Sequence, residues 1–330
     1  MKKFIFFIIF FFHEFSYSED NSAIVLMYHR FDEPKYQSTS ISSKLFEKHL
    51  QLIKENGFNV LNLKDFLDIL TNKKKIPKKT LLITVDDAFR SFYDFGFPLL
   101  KKYNFPFGIF VSTASVSKDG ESDFMSWEML NEIQEHKGMV FNHTVDHKSL
   151  VELSDRMIAD QVIKASNEIK QKLGTDNPKI FSYPYGESSE RVEKVLEKLG
   201  ILAAFSQHSA PLNHDDSMLR LPRFSLNNEY GKLDRLKMIF KTKRLPIKNL
   251  NFTDAITYEE EIEISFESPM NLEKISCYIN QGVNLEKKIN KKEVKLKLKG
   301  LKSGQRHRLN CTIINNENIY WFGKMLKRVN

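Results

Sequence analysis

Short apolar runs alternate with amphipathic stretches along the first two thirds of the chain. The runs at 23–28, 58–61, 81–85, 107–111, 139–141, 180–183 and 201–205 are rich in aliphatic and aromatic residues. Continuous apolar runs of this length predict strands buried on both faces. The stretches between them have recognisable helix ends. Ser42 or Ser43 opens a helix that Gly57 closes, and Ser126 opens another. Ser154 opens a long helix ended by Gly174, and Ser188 or Ser189 opens one that closes at Gly200. A hydroxyl at the N-cap and a glycine beyond the last turn are the usual helix punctuation. Repeated strand–helix units imply a parallel sheet with helices outside, either closed as a barrel or open and doubly wound. About seven units, with no Gly-rich phosphate loop after the first strand, favour a barrel-like α/β arrangement.

After about Lys241 the period changes. Ile262, Ile264 and Phe266 alternate with Glu261, Glu263, Ser265 and Glu267, and Val294, Leu296 and Leu298 alternate with Lys295, Lys297 and Lys299. Strict period-2 alternation predicts antiparallel strands with one wet face. With a turn over 300–304 and closing strands at 310–314 and 319–322, the tail reads as a small all-β, Ig-like sandwich. Its acidic and basic faces could pair across strands or, on the basic side, rest on an anionic polymer. Trp321 and Phe322 are expected in the core.

Composition adds limits. A chain of 330 residues, 41% hydrophobic and 28% charged, is long enough for one large unit and one small one. The net charge of +8 has no accompanying Arg/aromatic stripe or nucleic-acid fingerprint, so it implies only a lean towards anionic surroundings. Lys2-Lys3, the apolar run from Phe4 to Phe12 and Ser16-Tyr17-Ser18 have the form of a cleavable export leader over 1–18. The apolar run is less than half of what spans a bilayer as a helix. The expected organisation is therefore a leader (1–18), a main unit (19–242) and the β unit (250–330), exported to the periplasm, the cell envelope or the medium. Cys277 and Cys311 could form one disulfide there or stay as two buried thiols.

The candidate chemistry starts at Asp86-Asp87, two adjacent carboxylates where an apolar strand ends. Burying one without a partner is costly, so a cationic group is expected nearby. His143 and His147, four apart, have a spacing that can hold one metal ion from a helical turn or a tight loop. His29, Tyr185 and His208 also follow apolar strands. In α/β barrels the C-terminal strand ends share one face, where sites assemble from several loops.

Leu26-Met27-Tyr28-His29, Thr84-Val85-Asp86-Asp87, Ser126-Trp127-Glu128, His143-Thr144-Val145-Asp146-His147 and Phe181-Ser182-Tyr183-Pro184-Tyr185-Gly186 together resemble the motifs of the polysaccharide deacetylase family, whose members share a NodB-type domain. The resemblance covers about 23–223. It implies an α/β fold of distorted (β/α)7 barrel type and metal-assisted hydrolysis of N-acetyl groups on an amino-sugar polymer. Asp86 resembles the catalytic base, and Asp87, His143 and His147 resemble the ligands of a divalent metal, zinc first, with cobalt, nickel or manganese also suited. Pro184 and Tyr185 resemble the segment that lines the sugar groove, with the Tyr185 N–H at the oxyanion. Three departures stand out. No clean copy of the family's Leu-x-x-His acid is present, so His208 is the expected acid and His29 the runner-up. The glycine that often follows Asp-Asp is Ala88, which is acceptable if that position needs no positive φ. The arginine that often precedes Pro-Tyr is Ser182, and Arg220 or Arg223 could reach in to orient the base. Under this reading Arg223→Ala lowers turnover more than folding stability. Two other classes are carried alongside: an iron oxygenase using two histidines and a carboxylate, and a catalytically silent exported glycan-binding protein. Glycoside hydrolysis does not fit, because adjacent carboxylates cannot flank a scissile bond. The expected partner is an acetylated envelope glycan; no nucleic acid and no integral span after leader cleavage are expected, and oligomeric state is unreadable.

Overall fold

Parallel strands β1 (Ala23–Tyr28), β2 (Asn59–Val60), β3 (Thr80–Asp86), β4 (Phe107–Val111), β5 (Gly138–Asn142), β6 (Ile180–Ser182), β7 (Ala203–Phe205) and β8 (Phe224–Ser225) form one sheet. Its order is β8-β1-β3-β4-β5-β6-β7, with β2 also paired to β3. The structure, a computed structural model, describes residues 21–116, 122–174, 179–280 and 282–330. The leader expected over 1–18 lies outside them. Phe205 bridges to Leu221 and Leu26 pairs with Phe224, so the segment 221–225 lies between β7 and β1. The sheet is thus a curled, distorted (β/α)7 barrel, with helices outside.

Helices α1 (Ser43–Glu55), α2 (Leu63–Thr71), α3 (Phe97–Tyr103), α4 (Trp127–Glu135), α5 (Asp155–Leu173), α6 (Glu190–Lys198) and α7 (Leu233–Ile239) occupy the connections. Ser42, Ser126, Ser154 and Ser189 each accept a hydrogen bond from the backbone N–H three residues on. Gly174 ends α5 at φ 64. The sequence reading did not assign α2, α3 or α7. A π-turn, Phe92–Gly96, runs into α3 and breaks its 3.6-residue period.

The C-terminal third adds β9 (Thr242–Arg244), β10 (Ile256–Thr257), β11 (Glu261–Glu267), β12 (Ser276–Ile279), β13 (Asn284–Ile289), β14 (Glu293–Lys299), β15 (Arg306–Asn315) and β16 (Asn318–Arg328). Strands β9, β16, β15 and β12 lie in one sheet, with β10 also on β16, and β11, β14 and β13 form a second. Ile262, Ile264, Phe266, Val294, Leu296 and Leu298 share a buried cluster with Cys277, Leu309, Cys311, Phe322 and Leu326. The alternation read from sequence is therefore a shared core between two sheets. Cys277 and Cys311 stand opposite each other on β12 and β15 and form a disulfide. On the wet face, Lys297 pairs with Glu261 and Lys299 with Glu286 across strands. Such exposed pairs add little stability.

The two units are joined through β16. Trp321 is buried in the barrel's core, edge-on to Phe224 at 5.4 Å, whereas Phe322 is buried in the β unit against Phe266 at 5.2 Å. Adjacent strand residues point to opposite faces, so one strand feeds both cores. At Gly323 a Cβ would lie 2.0 Å from the Ser209 carbonyl oxygen. Only glycine lets the strand approach the barrel this closely. Among the described residues, no helix is long and apolar enough to cross a membrane.

Candidate metal and catalytic site

At the C-terminal ends of β3 and β5 the chain brings Asp87, His143 and His147 together. Their donor atoms lie within 4.8 Å of one another. Asp87 Oδ1 faces His143 Nε2 at 3.3 Å and His147 Nε2 at 3.2 Å. That oxygen is buried and accepts no hydrogen bond among the described residues. A buried carboxylate oxygen without a donor is costly, and two imidazole nitrogens aimed at it suit a divalent cation. On the chemistry of its donors, the cluster fits the metal expected from sequence.

The surrounding chain fixes these side chains. Residues 143–147 form a loop, not a helical turn. Asn142 Oδ1 accepts from Thr144 N–H at 2.7 Å, while its Nδ2 donates to the Val162 carbonyl and to Ser166 on α5. Gln161 Oε1 accepts from the N–H groups of Val145 and Asp146. His143 Nδ1 lies 2.7 Å from the Ser182 carbonyl oxygen. A carbonyl can only accept, so Nδ1 carries the proton and the Nε2 lone pair is free for a ligand. The backbone is strained here: φ is positive at Asp87 (76°), Ala88 (56°), Thr144 (74°), His147 (56°) and Tyr185 (60°). Such non-glycine geometry clusters at functional sites. Ala88 therefore departs from expectation: the position does need positive φ, and alanine adopts it at a cost.

Asp86 is held separately. Arg223 Nη1 and Nη2 donate to its two carboxylate oxygens at 2.7 Å each, and both residues are fully buried. Ser182 Oγ accepts from Arg223 Nη2 at 2.8 Å and lies 3.2 Å from Asp86 Oδ2, to which it donates. The guanidinium also lies 5.5 Å from the Phe110 ring centroid and 5.6 Å from that of Phe205. Burial would raise the Asp86 carboxyl, but the positive charge of Arg223 and the nearby His143 outweigh it, and its pKa is lowered. Arg223 thus supplies the cation, and the serine at 182 makes room for it. Arg220 pairs instead with Glu193 on α6.

The remaining candidates divide. His29 is buried with Asp87, Asp86, Arg223 and His143 as its charged neighbours. Burial lowers its pKa against the pull of the two aspartates, which favours the neutral ring. His208 is placed elsewhere. It lines a cavity of about 520 Å³ between the barrel and the β unit, with Arg220, Arg244 and Lys324 as its charged neighbours. Ser206 lines the same cavity, while Gln207 packs on Gly186. Pro184 is buried, and Tyr185 exposes its ring, which meets that of His147 in a T-shaped contact with centroids 4.5 Å apart. Tyr185 is the second residue of a single 3-10 turn, Pro184–Gly186, so its N–H has no acceptor within the turn. Glu187, which the sequence reading did not single out, is buried beside this turn and pairs with Lys327 of β16. Only its place two residues after Tyr185 could have flagged it.

Residues 73–204 match the family described as Polysaccharide deacetylase. The chain is 29% identical over 199 residues to a putative polysaccharide deacetylase, YxkH, of Bacillus subtilis, covering 60% of this chain and 69% of that protein. It is 28% identical over 235 residues to a poly-beta-1,6-N-acetyl-D-glucosamine N-deacetylase of Staphylococcus epidermidis, covering 64% of this chain and 81% of that one. Among solved structures, IcaB from Ammonifex degensii superposes with a TM-score of 0.60 at 24% identity, covering 67% of this chain and 97% of that chain. The Streptococcus pyogenes deacetylase PplD in complex with acetate gives a TM-score of 0.59 at 20% identity, with 65% and 98% covered. At these identities the two structures speak to the fold, and the sequence matches say what the chain is similar to: polysaccharide deacetylases, whose family pattern it carries over residues 73–204.

Proposed function

We propose that this protein is a divalent-metal-dependent hydrolase that removes N-acetyl groups from an exported amino-sugar polymer. The observation that carries the reading is the unpartnered Asp87 Oδ1 facing two imidazole Nε2 atoms, with an ion-paired carboxylate on the adjacent residue. Asp87, His143 and His147 would hold the ion. When bound, a zinc-like ion supplies Lewis acidity, polarising an acetyl carbonyl and acidifying water.

The chain's own groups do the rest. Asp86, kept ionised and oriented by Arg223, accepts the proton of the attacking water. The Tyr185 N–H donates to the developing oxyanion; losing one such donor typically costs about 3 kcal/mol. Of the two candidate acids, His29 shares the site with Asp86 and His208 does not; resting as the neutral ring, it acts on the leaving amine only after it has taken up a proton. The silent-binder reading rested on a missing arginine and a missing acid. The Arg223–Asp86 pair and the position of His29 beside it support the enzyme reading over that one. The substrate class follows from the relatives, one of which is a poly-beta-1,6-N-acetyl-D-glucosamine N-deacetylase. A leader over 1–18, a catalytic unit over 19–242 and an accessory unit over 250–330 complete the proposal, placing the reaction outside the cytoplasm.

The test is metal content of the purified protein together with acetate release from acetylated β-1,6- and β-1,4-linked glucosamine oligomers. One divalent ion per chain is expected, with release abolished by chelation and restored by Zn2+. Acetate release that persists after the metal has been stripped overturns the proposal.

A further inference from the structure

The β unit reaches the candidate site through two residues that face each other across β15 and β16. Arg306 and Lys327 are cross-strand partners in that antiparallel pair, so their side chains share a face. Both turn to Glu187, two residues beyond Tyr185. Lys327 Nζ donates to Glu187 Oε2 at 2.8 Å and to Glu152 Oε1 at 2.6 Å, and Lys327 and Glu187 are both buried. Ser149 Oγ donates to Glu187 as well. The turn that carries Tyr185 is therefore gripped from the β unit by a buried, hydrogen-bonded ion pair.

Arg306 has a different surrounding. Its guanidinium lies 5.0 Å from the centroid of the Tyr185 ring and approaches Glu187 Oε1 only to 3.9 Å. Among the described residues it donates no hydrogen bond, and its side chain is 37% exposed. Tyr185 is 39% exposed, and its ring makes a T-shaped contact with the candidate metal ligand His147. The order from the metal cluster outward is His147, Tyr185, Arg306. An aromatic face next to a planar guanidinium fork suits a sugar, whose apolar C–H face packs on the ring while its oxygens accept from the fork. The welds at Trp321, Phe322 and Gly323 hold this pair in fixed register with the barrel.

We propose that Tyr185 and Arg306 form a subsite, shared between the barrel and the β unit, for the sugar unit adjacent to the one undergoing deacetylation. The inference rests on the deacetylase reading for its substrate class. Arg306 contacts the glycan and takes no part in the proton transfers, and the accessory unit contributes to selection of polymer over single sugar.

The test compares wild type, Arg306→Ala and Arg306→Lys on N-acetylglucosamine and on its β-1,6- and β-1,4-linked pentamers. The readouts are acetate release and, in parallel, calorimetric binding of each sugar. The ratio of pentamer to monomer kcat/KM is expected to fall about ten-fold in Arg306→Ala, through KM, for at least one linkage. Pentamer binding is expected to weaken by a similar factor, with lysine intermediate because it keeps the charge and loses the fork. Melting temperatures report whether the exposed substitution leaves the fold intact. An unchanged length ratio, an equal loss on monomer and pentamer, or no binding of either pentamer to wild type overturns the subsite. If wild type binds a pentamer more tightly than Arg306→Ala and neither releases acetate, the subsite stands and the deacetylase reading fails.

Discussion

Replacing Arg223 by methionine removes a charge and keeps much of the side chain's length. In the native protein this guanidinium makes two 2.7 Å charge-assisted bonds to Asp86, with both groups fully buried. Truncating one partner of such a pair leaves a carboxylate desolvated and uncompensated, which costs about 3–5 kcal/mol. Ser182 Oγ remains to donate to Asp86, and a hydrogen bond to a charged group offsets roughly 1.5–3 kcal/mol of desolvation, so the lower end of that range is expected. Arg223→Ala therefore lowers folding stability as well as turnover, contrary to the separation expected from sequence. Asp86→Asn/Arg223→Met removes both charges, and replacing a buried pair outright is near-neutral. The four proteins (wild type, two singles and the double) form a cycle read by urea denaturation at 25 °C. A coupling energy of at least about 2 kcal/mol is expected, with the double variant more stable than Arg223→Met yet inactive in acetate release. Single costs that simply add would refute the claim that Arg223 and Asp86 act as one buried unit.

Two further outcomes follow from local geometry. Ala88 is buried at φ 56, so Ala88→Gly relieves about 1–2 kcal/mol of left-handed strain while losing a methyl and gaining unfolded-state entropy. Its urea midpoint should stay near wild type, whereas Ala204→Gly, in buried β7, should lose roughly 1.5 kcal/mol; equal losses at the two sites would contradict the strain argument. His49 is buried, bonded to Tyr28 Oη at 3.0 Å and to the Gly231 carbonyl at 2.6 Å, and burial lowers its pKa to about 4. Because the folded value lies below the unfolded one, its contribution is fully present above about pH 6.5 and is lost as pH falls towards 4. Wild type should lose about 2 kcal/mol more than His49→Gln between pH 7 and pH 5; parallel pH profiles would rule out a buried neutral histidine.

What the sequence made legible tracks how local the determinants are. Ser42, Ser126, Ser154 and Ser189 cap their helices because capping needs only the next three residues. The β unit's alternation needed only period two, and its inner positions are the shared core. Asp87, His143 and His147 come from two short motifs on neighbouring strand ends, and the structure gathers them. Strand β8 was missed because it is two residues long and is recruited by pairing with β1. His208, expected at the site, lines the cavity between the two units, and that was not readable for a related reason. Its distance past β7 was readable, but 206–208 lie beyond the strand's end, where no strand period sets which way a side chain points.

The same distinction explains why Arg223 was only one of two candidates and Arg306 none. Arg223 lies 137 residues from Asp86, and choosing it over Arg220 required knowing that the guanidinium lies over the paired rings of Phe110 and Phe205, beside a serine small enough to admit it. In sequence, Ser182 looked like a lost arginine; in space the serine and Arg223 are complementary parts of one cluster. Arg306 is more distant still, on a strand whose alternation marks it only as an exposed base. Its meaning comes from its cross-strand partner Lys327, which ties the face to Glu187 and so to the Tyr185 turn. A pattern of residue types can name the groups that meet a metal, because metals demand particular donors at short range. Groups that shape the approach of a polymer face no such demand, and in this chain they come from a sheet that folds beside the barrel.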